Sequence, residues 1–167
     1  RGTMRYSRVN IDTTFKYNVN YTSAKIGAEI ASRDGKYSIN IPENSLNEDM
    51  YLVSGMDLSL PWLGNLLEVN NLSKIYTISP IGKKLNKGAI ISIALEGLDH
   101  NDVSIGYWDG KLWRELESVL SADGMHIEAI GTHLGNYTLI ERGSGAPLAI
   151  NDSDLIPSSY FLDQNYP

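Results

Sequence analysis

Apolar and polar residues alternate with a period of two along most of this chain, most clearly in residues 103–116. There, two β-prone runs flank Asp109-Gly110, and Asp-Gly readily supplies the two positive φ angles of a type I′ turn. We predict a β-hairpin with a two-residue loop, which sets Gly106 opposite Trp113. One face then combines apolar side chains with a single arginine, the pattern of a sheet buried on one side. Its members are Val103, Ile105, Tyr107, Leu112, Arg114 and Leu116.

The same alternation predicts strands elsewhere. Residues 25–31 and 36–41 flank Asp34-Gly35 and form a second predicted hairpin, with Ile26 and Ile30 at alternate positions of its first strand. Further strands are predicted at residues 15–19, 50–60, 74–79, 89–95, 125–130 and 136–141, and residues 61–72 fit either a short helical turn or an apolar loop. About eight to ten short strands with frequent turns are typical of an antiparallel β-sandwich or barrel. We predict an all-β antiparallel β-sandwich.

Changes in composition divide the chain into three predicted regions. Residues 1–20 are polar without firm alternation and are expected to form an N-terminal linker or edge strand. Residues 21–142 form the β-sandwich domain. Residues 143–167 begin with Gly-Ser-Gly-Ala-Pro, which is linker composition. The first residues lack an initiator methionine and a signal peptide, so we expect a piece of a longer polypeptide.

Composition narrows the function classes. The chain has 167 residues, of which 42% are hydrophobic and 20% charged, which suits one soluble domain. A net charge of −6 argues against a nucleic-acid partner, because phosphate binding needs a concentrated basic surface. No apolar run approaches the roughly 20 residues that cross a bilayer, so no membrane-spanning segment is expected. The absence of cysteine excludes disulfides and thiolate chemistry.

Four short motifs occur in the order found in one known family. Residues 41–46 match "I-P-x-x-x-L", residues 80–88 resemble "P-x-G-x-x-F-x-x-P", residues 107–116 are close to "Y-x-D-G-x-x-W-x-x-L", and residues 133–137 resemble "H-F-S-x-Y". Through these four motifs, residues 25–141 resemble the β-sandwich domain shared by zonula-occludens proteins, netrin receptors and ankyrins, including its relatives in large bacterial surface proteins. The resemblance implies the same sandwich as the alternation does.

The last of these motifs bears on catalysis, because some relatives cut their own backbone there. Such a cut needs a hydroxyl after the strained bond and a histidine to take its proton. This chain keeps His133 and Leu134 but has Gly135 where the family has Ser or Thr. We therefore expect no self-cleavage and no enzyme activity. We interpret His133 as a packed corner residue and Gly135 as the source of an unusual backbone dihedral.

The C-terminal residues carry a second resemblance. Residues 157–167 are similar to the opening of the C-terminal sorting domain of type IX secretion cargo, "P-x-x-(Y/F)-x-L-x-Q-N-Y-P". The matching positions after Pro157 include Leu162, Gln164, Asn165, Tyr166 and Pro167. The resemblance implies a secreted or surface-attached parent protein of a Bacteroidetes-like bacterium, located outside the cell or on the outer-membrane surface. Residues 143–167 are then a linker that leads into a truncated type IX sorting signature.

Other candidate chemistry is sparse. The three histidines have no HxH or HExxH spacing, so no metal site and no cofactor are predicted. The acidic stretches at residues 98–102 and 151–154 are interpreted as solvated turns. Trp62, in an irregular apolar segment, is the candidate ligand contact, since tryptophan stacks well on sugars and on protein surfaces. Thr13 lies in Asp-Thr-Thr, which resembles a Bacteroidetes O-glycosylation site.

These observations lead to one expected function and two alternatives. We expect a noncatalytic spacer or protein-interaction module that works beside other domains of its parent protein. A carbohydrate-binding module that uses Trp62 is the first alternative, so the partner is an unknown protein or glycan. A structural subunit of an extracellular assembly, in which edge strands pair between copies, is the second.

Overall fold

The computed structural model describes residues 17–56 and 71–143, which form eleven strands and no helix. In chain order they are β1 (Tyr17–Thr22), β2 (Ala28–Ala31), β3 (Tyr37–Ile41), β4 (Met50–Met56), β5 (Tyr76–Ser79), β6 (Lys84–Ala94), β7 (Val103–Trp108), β8 (Trp113–Leu116), β9 (Ser118–Leu120), β10 (His126–His133) and β11 (Asn136–Glu141). All pairs are antiparallel, in a six-stranded sheet β1-β4-β5-β11-β7-β8 and a five-stranded sheet β2-β3-β6-β10-β9. The predicted all-β antiparallel sandwich is confirmed.

The described ranges hold one strand more than the upper end of the expected number because the chain changes sheets after β8. β8 ends at Leu116 in the six-stranded sheet, and β9 starts at Ser118 in the five-stranded sheet. The Ser118 hydroxyl donates to the Leu116 carbonyl at 2.8 Å and accepts from the Ile105 N–H at 2.9 Å. These two bonds satisfy the Leu116 carbonyl and the Ile105 N–H, which lie where the chain leaves one sheet for the other.

The hydrophobic core lies between the two sheets. In the five-stranded sheet Ile39 pairs with Ile91, which pairs in turn with Ala129, and all three are buried. In the other sheet Leu139 pairs with Ile105, and neither is exposed. Burying an aliphatic side chain of this size contributes about 1.5–3 kcal/mol. The alternation of β3, β6 and β10 therefore acts by placing one side of each strand in this core.

A row of tyrosines crosses the same core. Tyr37 stacks on Tyr76 at a centroid distance of 5.0 Å and lies 6.5 Å from Tyr137, which lies 5.3 Å from Tyr107. Aromatic pairs of this kind each contribute about 0.5–1.5 kcal/mol beyond the area they bury. Burial raises the pKa of Tyr37 and Tyr137, and raises that of Tyr107 to about 12. The row is neutral at physiological pH and serves as packing.

The hairpin predicted around Asp34-Gly35 is confirmed, with one error. β2 and β3 pair antiparallel, and Ile30 faces Ile39. The first strand starts at Ala28, so Ile26, predicted to belong to it, lies outside the strand and is exposed. Gly27, with φ of +78°, turns the chain just before β2, so the alternation of Ile26 with Ile30 does not correspond to one continuous strand.

Two hairpin turns share the pattern Ser-x-Asp-Gly and one hydrogen-bond arrangement, at residues 32–37 and 121–126. In each turn the serine hydroxyl donates to the aspartate two residues on, and that carboxylate accepts a backbone N–H two residues further along. Gly35 and Gly124 supply the positive φ angles, +71° and +70°. The chain at the end of β6 donates backbone hydrogen bonds to both turns, so the two turns flank that strand.

The hairpin at residues 103–116 is present as β7 and β8, but its predicted register is wrong. Trp108 pairs with Trp113, so the loop has four residues, 109–112. Asp109 Oδ1 accepts the N–H groups of Lys111 at 2.8 Å and Leu112 at 2.9 Å, which favours this longer loop over a type I′ turn. Because each partner moves by two positions, the residues that share a face are those predicted. The prediction that only one face is buried is wrong, since Ser104, Trp108, Trp113 and Glu115 on the other face are buried as well.

The register also changes the surroundings of Gly106. It lies opposite Glu115, and the space above it is occupied by Ile140, whose Cγ2 lies 2.9 Å from where a Cβ would stand. Trp113, predicted to lie opposite Gly106, pairs with Trp108 instead. It packs edge-to-face against Trp108, with ring centroids 5.6 Å apart, and is buried.

Candidate functional site

The most exposed aromatic surface in the described part of the chain lies on β1 and β4, and we call it the tyrosine face. It consists of Tyr17, Val19 and Tyr21 on β1 with Tyr51 on β4, whose exposed fractions are 49%, 64%, 62% and 68%. β1 alternates, so its odd-numbered side chains point outward while Asn18, Asn20 and Thr22 lie on the other side. Tyr21 pairs directly with Tyr51, and their rings meet edge-to-face at 5.2 Å. Tyrosine combines an apolar ring with a polar edge, which suits recognition of proteins or sugars.

Asp49 holds one end of this face in place. Its carboxylate accepts the Ala24 N–H at 2.8 Å, the Tyr21 hydroxyl at 3.1 Å and the Ser23 hydroxyl at 3.3 Å. The pKa of Asp49 is lowered, first by the Ala24 N–H and then by the Tyr21 hydroxyl. The pKa of Tyr21 is raised by the same hydrogen bond and by the nearby negative charge. Tyr21 therefore remains protonated and oriented, with its ring in solvent.

A contact to the second sheet fixes the strand itself. Asn18 Nδ2 donates to the carbonyl of Ala31 on β2 at 3.1 Å. This bond lies on the inner side of β1, opposite to the tyrosine face. β1 is thus attached to both β4 and β2, and the tyrosines stand on a backbone that is held from two directions.

β1 is also the least protected edge in the described ranges. The edge strands there are β1 and β8 of one sheet and β2 and β9 of the other. β1 has six residues, whereas β2 and β8 have four and β9 has three. β8 carries Arg114 and Glu115 and β2 carries Glu29, but the sequence of β1, YNVNYT, contains no charge and no proline. Short length, charge and proline are the usual protection against strand addition, and β1 has none of them.

The corner between β10 and β11 is a packing site. The Tyr137 hydroxyl donates to the carbonyl of His133, which joins the two strands across the corner in the manner of a tyrosine corner. The His133 ring stacks on Tyr107 at 6.0 Å. Leu134 is buried. The interpretation of His133 as a packed corner residue agrees with these contacts.

The expected role of Gly135 at this corner is wrong. Its φ is not in the left-handed region, so no unusual dihedral requires glycine. The constraint is a close approach, since an added Cβ would lie 2.8 Å from Cε2 of Tyr107. Glycine is needed here because a ring occupies the space that a side chain would take.

Several predicted site residues lie outside the described residues. These are Thr13, Trp62, Leu162, Gln164, Asn165, Tyr166 and Pro167, together with most of residues 61–72 and the acidic stretch at 151–154. The other acidic stretch is a turn in which Asp99 Oδ1 accepts the backbone N–H and the side-chain amide of Asn101, each at 2.9 Å. In residues 17–56 and 71–143, no group of three or more histidines and carboxylates is placed to hold a metal ion.

Sequence reasoning did not single out the tyrosine face. The signal was present in residues 17–21, where Tyr, Val and Tyr alternate with Asn and no charge intervenes. That run predicts a strand, but its exposure follows from the side of the sheet on which its odd-numbered residues lie, since the core is on the other side. Position in the sheet, which the run itself does not encode, makes these residues a candidate site.

Comparison with known proteins adds no family to this description. The chain matches no family model and no curated protein. Among the described residues, no helix is long and apolar enough to cross a membrane.

Proposed function

We propose that this chain is a noncatalytic spacer or protein-interaction module that contacts its partner through the tyrosine face. The supporting observation is the exposure of Tyr17, Tyr21 and Tyr51 at an uncharged sheet edge. Large aromatic side chains concentrate in protein interfaces, where they bury much area and lose few rotatable bonds. The pairing of β1 with β4 and the Asn18–Ala31 hydrogen bond hold these side chains on a formed sheet.

The noncatalytic assignment rests on the corner and on the hairpins. Gly135 offers no hydroxyl to attack the Leu134 carbonyl. Asp34, Asp109 and Asp123 each accept backbone hydrogen bonds within their own hairpin turns. Those carboxylates serve the turns, and their pKa values are lowered, which suits acceptors rather than general acids.

Site-specific photo-crosslinking in the native bacterium tests the interaction role. A photoreactive side chain at position 51 samples the tyrosine face, and the same group at position 119 is the control, because Val119 is 61% exposed on β9 of the other sheet. We expect a discrete adduct from position 51 and none from position 119. Equal labelling at both positions, or none at either, contradicts an interaction through this face.

We also propose export by type IX secretion to the outside of the cell or to the outer-membrane surface. The support is the spacing of Leu162, Gln164, Asn165, Tyr166 and Pro167, which resembles a sorting signature. Cell fractionation with an antibody against residues 17–143 tests it. We expect the parent protein in the surface or secreted fraction, and its retention inside cells that lack the type IX machinery. Unchanged export from those cells excludes the assignment.

Carbohydrate binding is the second candidate, and the arrangement of Tyr21, Tyr51 and Asp49 favours it. Two exposed rings stand beside a carboxylate, and sugars are bound by stacking on rings with hydrogen bonds to their hydroxyls. A glycan array compares the unaltered chain with Tyr51→Ala and Trp62→Ala. Binding lost in Tyr51→Ala assigns the sugar to the tyrosine face, whereas binding lost only in Trp62→Ala assigns it elsewhere. No binding by the unaltered chain removes this candidate.

A further inference from the structure

We propose that β1, through the edge that lies away from β4, pairs antiparallel with β1 of a second copy of this chain, about a two-fold axis at Val19. The two six-stranded sheets then become one continuous sheet of two copies. This inference rests on the proposed interaction function and names its partner. Symmetric dimers with self-complementary interfaces are the commonest form of homo-oligomer.

The sequence of β1 is self-complementary in an antiparallel sense. Residues 17–21 read Tyr-Asn-Val-Asn-Tyr in both directions. Two such strands running in opposite directions and centred on Val19 place Tyr17 of each copy opposite Tyr21 of the other. The asparagines oppose each other in the same way, and Val19 meets Val19.

The faces of the strand exclude registers that are shifted by one residue. In an antiparallel pair, directly opposed residues lie on the same side of the sheet. Centring on Val19 therefore keeps all outward residues outward and joins the two tyrosine faces. A slip by one residue sets tyrosine opposite asparagine, so the tyrosine face of one copy would lie on the side of the joined sheet where the other copy has its five-stranded sheet. Two aromatic cross-strand pairs of Tyr17 with Tyr21 form across the axis.

Charge does not oppose strand addition at β1. Each copy carries a net charge of −6, so two copies repel at long range. β1 itself has no charge, so strand addition there creates no directly opposed like charges. The long-range repulsion is screened by salt, so dimerisation should strengthen between low and physiological ionic strength.

Size-exclusion chromatography with light scattering on the 167-residue chain tests the dimer. We expect a concentration-dependent dimer, and we expect Val19→Lys to weaken it by about tenfold or more, because lysine then opposes lysine at the axis. Val119→Lys is the matched control, since it makes the same change at a similarly exposed residue on another edge strand. It should leave the dimer unchanged. A chain that is monomeric at all concentrations, or a dimer equally affected by both variants, overturns the proposal.

A charge exchange tests the register. The double variant Tyr17→Glu with Tyr21→Lys sets glutamate opposite lysine twice, and the new lysine lies near Asp49. The double variant Tyr17→Lys with Tyr21→Lys sets lysine opposite lysine twice. We expect the first to dimerise and the second to be monomeric at the same concentration. Equal behaviour of the two variants contradicts pairing about Val19.

The dimer and the broader interaction function can be refuted independently. Hydrogen exchange in the monomer reports whether the edge is open, through the β1 amides that point away from β4. Rapid exchange of these amides is expected, and slow exchange overturns the dimer because another part of the same chain then covers that edge. If the chain is monomeric and the crosslink from position 51 reaches a different protein, the partner is wrong while the interaction function stands. If neither a dimer nor a crosslink forms, both are refuted.

Discussion

Replacement of Gly135 by alanine tests whether the β10–β11 corner is constrained by packing rather than by chemistry or backbone strain. The added Cβ would lie 2.8 Å from Cε2 of Tyr107. Carbon atoms in contact prefer about 3.5–4.0 Å, so the ring must retreat by about 1 Å. Tyr107 packs against Tyr137 and His133, and its retreat disturbs both contacts.

Two opposing effects set the magnitude of this change. Overpacking of a filled site costs about 1–3 kcal/mol. Because Gly135 has no left-handed φ, alanine also restricts the unfolded chain and returns about 0.4–1 kcal/mol. Overpacking outweighs this gain, so Gly135→Ala should destabilise the domain by roughly 0.5–2 kcal/mol, a decrease in Tm of a few degrees.

Urea unfolding followed by fluorescence of the buried Trp113 measures this loss. The matched background is Tyr107→Leu, which removes the ring atom that the new Cβ meets and keeps an aliphatic side chain. There Gly135→Ala should become neutral or stabilising by up to about 1 kcal/mol, a change of sign that only the steric explanation predicts. If the alanine costs the same in both backgrounds, the contact with Tyr107 is not the reason for glycine at this position.

Three further predictions concern the hairpins and titrating groups. Gly110 has a φ of +98° and open space around it, so Gly110→Val should lower the free energy of unfolding in urea by about 1–3 kcal/mol. Gly110→Asn should lower it clearly less, because asparagine tolerates a positive φ. Equal losses in the two variants would remove backbone strain as the cause. The pKa of Asp123 is lowered, first by the Ser121 hydroxyl and then by the Met125 N–H, so its folded pKa lies below the unfolded one. The stability that this carboxylate contributes is present above about pH 4 and is lost as the pH falls. Asp123→Asn should therefore reduce the loss of unfolding free energy at acidic pH. An unchanged pH dependence would show that Asp123 does not contribute to this loss. Burial raises the pKa of Tyr107 to about 12, so stability should fall as the pH rises from about 10 toward that value. Tyr107→Phe should lessen this loss of stability, which circular dichroism measures. An equal loss in both proteins would assign it to other groups.

Local patterns predicted the turns better than the pairings. Asp34-Gly35 marked a hairpin, and the structure places a turn there. Asp109-Gly110 also marked a hairpin, but the loop is two residues longer than predicted because the Asp109 carboxylate binds two backbone N–H groups. A dipeptide signals that the chain reverses, whereas loop length depends on hydrogen bonds formed only after the strands meet.

The roles of individual glycines and tyrosines depended on neighbours distant in sequence. Counting along the predicted hairpin set Gly106 opposite Trp113, yet Ile140 from β11 occupies the space where a side chain of residue 106 would stand. Gly135 was assigned an unusual dihedral, yet Tyr107 from β7 imposes the constraint. Both neighbours come from adjacent strands that are far away along the chain. Cross-strand contacts of this kind follow from sheet order, which residue alternation does not specify.

The sequence by itself determined the class of fold, because a period of two with frequent turn residues leaves one face of each strand to be buried against another layer. It also determined the composition of β1, including the palindrome about Val19. Only the tertiary structure decided that β1 stands at a sheet edge with its tyrosines in solvent while Tyr37, Tyr76 and Tyr137 are buried. The same residue type packs the core and forms the candidate site, because burial is set by which strands lie on either side and in front of it.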